Sequence, residues 1–103
     1  MAKVTKIHVT ATDNELYILA SANAGSAEIC HIKSGCNDPV EYTVIPQSIL
    51  AAGNYDLTMV GINWGGPQAF NVILTIDGVD KTYTAPYGTA VGATWTVSVP
   101  VTV

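Results

Sequence analysis

The side chains of this chain best suited to chemistry are two cysteines, two histidines and a few carboxylates. Cys30, His31 and Cys36 lie close together and are ligand types that hold zinc. Neighbouring residues of a strand point to opposite faces, so Cys30 and His31 would not converge on one ion. The same geometry separates them as a nucleophile and base, which must stand within hydrogen-bond reach. No metal site is therefore expected. Cys30 and Cys36 flank the flexible Ser34-Gly35 and can close a small disulfide, with a chain-entropy contribution of about 2–3 kcal/mol. In a reducing compartment both stay thiols. Glu28 and Glu41 supply carboxylates that nothing in the sequence brings together. His8 alternates with Ile7 and Val9 and is expected on a wet strand face. Asp77 and Asp80 read as turn residues rather than calcium ligands. The sequence has no Gly-x-Ser-x-Gly elbow, phosphate loop or dinucleotide fingerprint. Neither catalysis nor a cofactor is expected.

Recognition has a better candidate. Asn63-Trp64-Gly65-Gly66-Pro67-Gln68 places a tryptophan beside turn formers at the end of an apolar run, where a surface connection is expected. A flat indole stacks on the C–H face of a sugar, and Asn63 and Gln68 carry donors and acceptors for its hydroxyls. Tyr87, in Pro86-Tyr87-Gly88-Thr89, is a second loop aromatic expected at the same end. The predicted ligand-binding set is Asn63, Trp64, Gln68 and Tyr87, with neutral carbohydrate as the ligand. Two alternatives stand beside it: Trp64 plugs the open end of the core, or it sits in a subunit interface.

Charge narrows the partners further. Only 12% of residues are charged, and the net charge is −4. The basic residues are Lys3, Lys6, Lys33 and Lys81, without a single arginine. Nucleic acids and anionic membranes demand clustered cations, so both are excluded as partners. Hydrophobic residues make up 49%, more apolar surface than one small domain readily hides, and a homo-oligomer is expected. That suggests, as the alternative function, an assembly subunit without a small ligand. No apolar run is long enough to span a bilayer. His8, Asp13 and Glu15 interrupt the start, so no classical signal peptide is expected, and the chain is expected in the cytoplasm or exported by a non-Sec route.

The elements that must position these residues alternate as strands do. Strands are predicted at residues 4–10, 15–23, 27–33, 40–45, 55–62, 70–76, 81–85 and 94–103, separated by Gly, Pro, Asn and Asp. In the last, Trp95, Val97, Val99 and Val101 face one way and Thr96, Ser98 and Pro100 the other. Pro100 cannot donate to a ladder, which predicts an edge strand or a bulge. Asp77-Gly78-Val79-Asp80 predicts a hairpin turn in which Gly78 takes positive φ, and residues 47–52 a helical turn. The predicted fold is all-β, a single domain over residues 1–103. Its architecture is expected to be an antiparallel two-sheet sandwich of about eight strands, immunoglobulin-like or lectin-like.

One local feature resembles a known family. Ile49-Leu50-Ala51-Ala52-Gly53-Asn54-Tyr55-Asp56-Leu57, a small residue, then Gly, then Tyr leading into a strand, resembles the tyrosine corner of immunoglobulin-like sandwiches. The resemblance implies a structural Tyr55 whose hydroxyl bonds to backbone a few residues upstream. Leu57 stands where that family has its second core cysteine, so the local structure is carried over and not the family.

Overall fold

A computed structural model of the chain describes residues 2–23, 25–35 and 38–103. It contains seven strands: β1 (Val4–Ala22), β2 (Gly25–Ser34), β3 (Tyr42–Val44), β4 (Asn54–Asn63), β5 (Ala69–Ile76), β6 (Val79–Thr84) and β7 (Gly92–Thr102). Every strand–strand ladder is antiparallel. The order is β6-β5-β1-β4-β7, with β2 and β3 also pairing with β1.

The organising element is β1, 19 residues long. Its first half pairs with β5 and β3, its second half with β4 and β2. A break was expected at Asp13-Asn14. The chain instead stays extended there, because Asp13 pairs with Ala69 on one side and Asn14 with Ser34 on the other. Two predicted strands thus become one, which joins β2, β4 and β7 to β3, β5 and β6 in an antiparallel sheet curled into a half-barrel. Its ends are drawn together near the N-terminus. Lys3 bridges to Thr102, and Thr102 N donates to Ala2 O at 2.8 Å.

Period-two alternation fills the concave side. Phe70, Val72, Leu74 and Ile76 of β5 are buried while Asn71, Ile73 and Thr75 face outward. Burying each such apolar side chain contributes about 1.5–3 kcal/mol. In β7, Trp95 and Val101 are buried and Val97 and Val99 half-buried, with Thr96, Ser98 and Pro100 exposed opposite them, as the sequence predicts. Among the described residues β7 forms a ladder with β4 alone and so is an edge, and Pro100 sits opposite Asp56 in an unbroken stretch of register. Phe70 stacks on Trp95 with ring centroids 5.7 Å apart, and the Phe70 ring packs over Gly61.

The turns carry the expected chemistry. Asp77 and Gly78 hold positive φ of 51° and 78° between β5 and β6, the signature of a type I′ hairpin turn. Asp77 Oδ1 also accepts from Lys3 N at 3.0 Å, and Asp80 accepts from Thr75 Oγ1 at 2.6 Å. The predicted helical turn is one short 3-10 turn, Pro46–Ser48. Tyr55 donates its hydroxyl to Ala51 O at 2.8 Å, the hydrogen bond of a tyrosine corner. Tyr55→Phe is expected to lower stability by about 1 kcal/mol in urea denaturation, the usual net value of one such bond. An unchanged midpoint would show that the corner holds through ring packing alone.

Candidate ligand-binding site

Two loops meet at the end of the half-barrel where β4 finishes. Asn63, its last residue, is fully buried. Its Nδ2 donates to Gly66 O at 2.8 Å and to Ala90 O at 2.9 Å, and its Oδ1 accepts from Gly65 N at 3.3 Å. Gly66, at φ 69°, supplies the left-handed residue that lets residues 64–67 fold back over this amide. Gln68 plays a parallel part. Its Nε2 donates to Pro86 O at 2.8 Å, its Oε1 accepts from the Thr94 hydroxyl, and its backbone N–H bonds to Gly88 O at 2.8 Å.

Asn63 and Gln68 were expected to offer their amides to a ligand. The structure places those amides inside the loops, where each answers backbone carbonyls that would otherwise lack donors. They tie the Trp64 loop to the Tyr87 loop. Both aromatics are exposed: Trp64 at 61% and Tyr87 at 81%. Trp64 is therefore not a plug in the end of the core. Trp95 has the buried position, at 8%.

Trp64 is exposed yet held in place. Its backbone N–H donates to Asn14 Oδ1 at 2.7 Å, and its indole Nε1–H donates to the Glu15 carboxylate. The other carboxylate oxygen accepts from His31 Nε2 at 3.0 Å. His31 in turn stacks on Tyr17, with centroids 4.0 Å apart and planes 13° from parallel. Glu15 and Tyr17 are two apart on β1 and so share its outer face, and His31 is paired with Tyr17 across the β1–β2 ladder. The result is a continuous outward patch of an indole, a carboxylate, an imidazole and a phenol. A carboxylate has about four acceptor directions, so Glu15 retains capacity for hydroxyl donors beyond its two internal bonds.

Glu15 is held below the usual carboxylate range, first by the Trp64 hydrogen bond, then by that of His31 and the charge of Lys33, against an opposing effect of burial. A carboxylate depressed in the folded state stabilises it above the unfolded value of 4.5. That contribution disappears as pH falls through the lower folded value. Indole emission is expected to change over the same acid window, as Glu15 takes up its proton and the acceptor for Nε1–H weakens. In Glu15→Gln this transition should be absent. Its persistence would assign it to another carboxylate.

Other candidates from the sequence do not assemble. Cys30 is buried on the core side of β2, and burial, followed by the charge of Glu28, pushes its thiol up to about 11. His31 lies on the opposite face, against Tyr17 and Glu15. Cys36 lies outside the described residues, and with it the disulfide. Glu41 bonds to His8 at 2.7 Å, on the outer face beside β3. Among the described residues no three His, Cys, Asp or Glu side chains gather as for a metal ion, and no helix is long and apolar enough to cross a membrane.

A cleft of about 610 Å³ opens at the other end of β4, lined by Ser21, Asn23, Gly53, Asn54, Tyr55 and Asp56. It has volume but no free aromatic hydroxyl, since that of Tyr55 is bonded to Ala51 O. The stronger chemistry is at the Trp64 end, which is shallow and aromatic. Comparison with protein-family models, with curated proteins and with solved structures finds no match to this chain.

Proposed function

We propose that the protein is a non-catalytic, lectin-like recognition module that binds neutral carbohydrate at Trp64. The observation that carries this is the fixed, exposed indole, 61% open to solvent and anchored through both of its N–H groups. A platform already oriented loses little side-chain entropy when a ligand stacks on it. The apolar C–H face of a sugar ring covers the indole, and its hydroxyls reach Glu15 and the Tyr87 hydroxyl. Asn63 and Gln68 act one step behind, by fixing the two loops to each other. A neutral ligand suits a protein with four lysines and no arginine.

Single-site affinity of this kind is about millimolar, and clustering of sites raises it. One observation favours self-association as a second reading. Leu19 of β1 and Val60 and Ile62 of β4 face outward beside Tyr17, on a sheet face that a second copy or an assembly partner could cover. Titration calorimetry against a panel of neutral mono- and oligosaccharides tests the primary reading. Saturable heat with at least one sugar is expected. Silence across the panel would leave assembly as the function to pursue.

A further inference from the structure

A sugar platform accounts for Trp64 and leaves Val91 without a role. Val91 is 65% exposed in the same loop as Tyr87, which is 81% exposed. That loop is fastened to the Trp64 loop through Asn63–Ala90 and Gln68–Pro86. Valine has neither a π-face nor a polar side-chain atom, so it has nothing to offer a sugar in water. Single exposed apolar residues are ordinary on protein surfaces. Here, however, three large ones lie on two loops fastened to each other at one end of the molecule, and the sequence of those loops carries no charge. Residues 63–76 and 82–103 contain no Asp, Glu, Lys, Arg or His at all.

That chemistry matches the interface of an uncharged bilayer, where tryptophan and tyrosine rings settle at headgroup depth. The tip of the Tyr87–Val91 loop carries no charge of its own to desolvate, while the Glu15 carboxylate beside Trp64 stays at the level of the sugar. The net −4 of the chain disfavours anionic lipid. We infer that the carbohydrate is presented as the headgroup of a neutral glycolipid. In this arrangement Trp64 stacks on the sugar while Val91 and the ring of Tyr87 enter the interface of the same zwitterionic bilayer. The inference rests on the carbohydrate reading and names the source of the ligand. Two weak contacts made together bind far more tightly than either alone.

The test is flotation of the full chain with phosphatidylcholine vesicles, plain or doped separately with glucosyl-, galactosyl- or lactosylceramide. Affinity for each free headgroup sugar is measured in parallel. At least one doped vesicle is expected to bind about tenfold or more tightly than its free sugar. Val91→Asp should remove most of that gain and leave free-sugar affinity within about twofold, and the milder Val91→Ser should act in the same direction. Equal affinity for free and vesicle-borne sugar would overturn the membrane contact and leave the carbohydrate reading standing. Binding to plain vesicles alone would overturn the carbohydrate reading and this inference together, as would binding to neither sugar nor vesicle. If Val91→Asp instead dissolves an oligomer without affecting flotation, the patch belongs to a second copy and the inference fails.

Discussion

Trp64→Ala is expected to weaken carbohydrate binding by about 30-fold or more, while lowering folding stability by no more than about 1 kcal/mol. The binding loss follows from the ring being the stacking surface, since truncation of an anchoring aromatic commonly removes 2 kcal/mol or more. The small stability change follows from its exposure. The ring buries little surface, and the one side-chain bond it makes is to Glu15 at the rim of the sheet. Trp95 provides an internal contrast. It is 8% exposed and stacked on Phe70, so Trp95→Ala should cost about 3–5 kcal/mol. Calorimetric titration and urea denaturation of the same two variants separate the cases. A loss of that size at Trp64 would show a buried ring and contradict the platform.

Gly61→Ala should be the most damaging small substitution in the half-barrel, with a loss of about 2–3 kcal/mol from overpacking. A Cβ at this position would stand 2.7–2.8 Å from three atoms of the Phe70 ring. The ring cannot swing aside as the tip of a flexible side chain would. It is 1% exposed and lies within 2° of parallel to Trp95, which itself pairs with Gly61 across the β4–β7 ladder. The glycine is thus required by the closeness of the Phe70 ring to the backbone. Phe70→Leu in the Gly61→Ala background should recover part of the loss by vacating the contact. Urea midpoints across this double-mutant cycle check the claim, and additive effects would mean that the ring and the glycine do not meet.

Much of the fold was legible because alternation is a local property. The facing of β7, the positive-φ turn at Asp77-Gly78 and the Tyr55 corner each depend on residues within a few positions of one another. Failures arose where distant pairing decides. Asp13-Asn14 has the composition of a turn, but ladder partners on both sides hold it extended and merge two strands into one. The expected strand at 40–45 shrinks to Tyr42–Val44, whose ladder partner among the described residues is β1.

The site divides in the same way. The exposure of Trp64 and Tyr87 was recognisable from residue type and turn context, whereas composition does not reveal which way an amide points. Asn63 and Gln68 consequently read as ligand contacts, and the structure shows their amides bonded within the loops they brace. Glu15, Tyr17 and His31 were missed for a sharper reason. Counting back from the Ala22–Gly25 end of the β1–β2 ladder would set Tyr17 opposite Cys30. A register shift between Ile18 and Leu19 moves the pairing by one residue and sets Tyr17 opposite His31. The alternation of β2 alone contains no mark of that shift, and it is this shift that brings the imidazole to Glu15.

The central claim is that an open, pinned indole is the recognition surface, and acrylamide quenching of Trp64 emission tests it most directly. Subtracting the spectrum of Trp64→Phe isolates Trp64 from the buried Trp95. Red-shifted, readily quenched emission that one neutral sugar protects is the predicted result. Blue-shifted, unquenched emission indifferent to every sugar would contradict the claim.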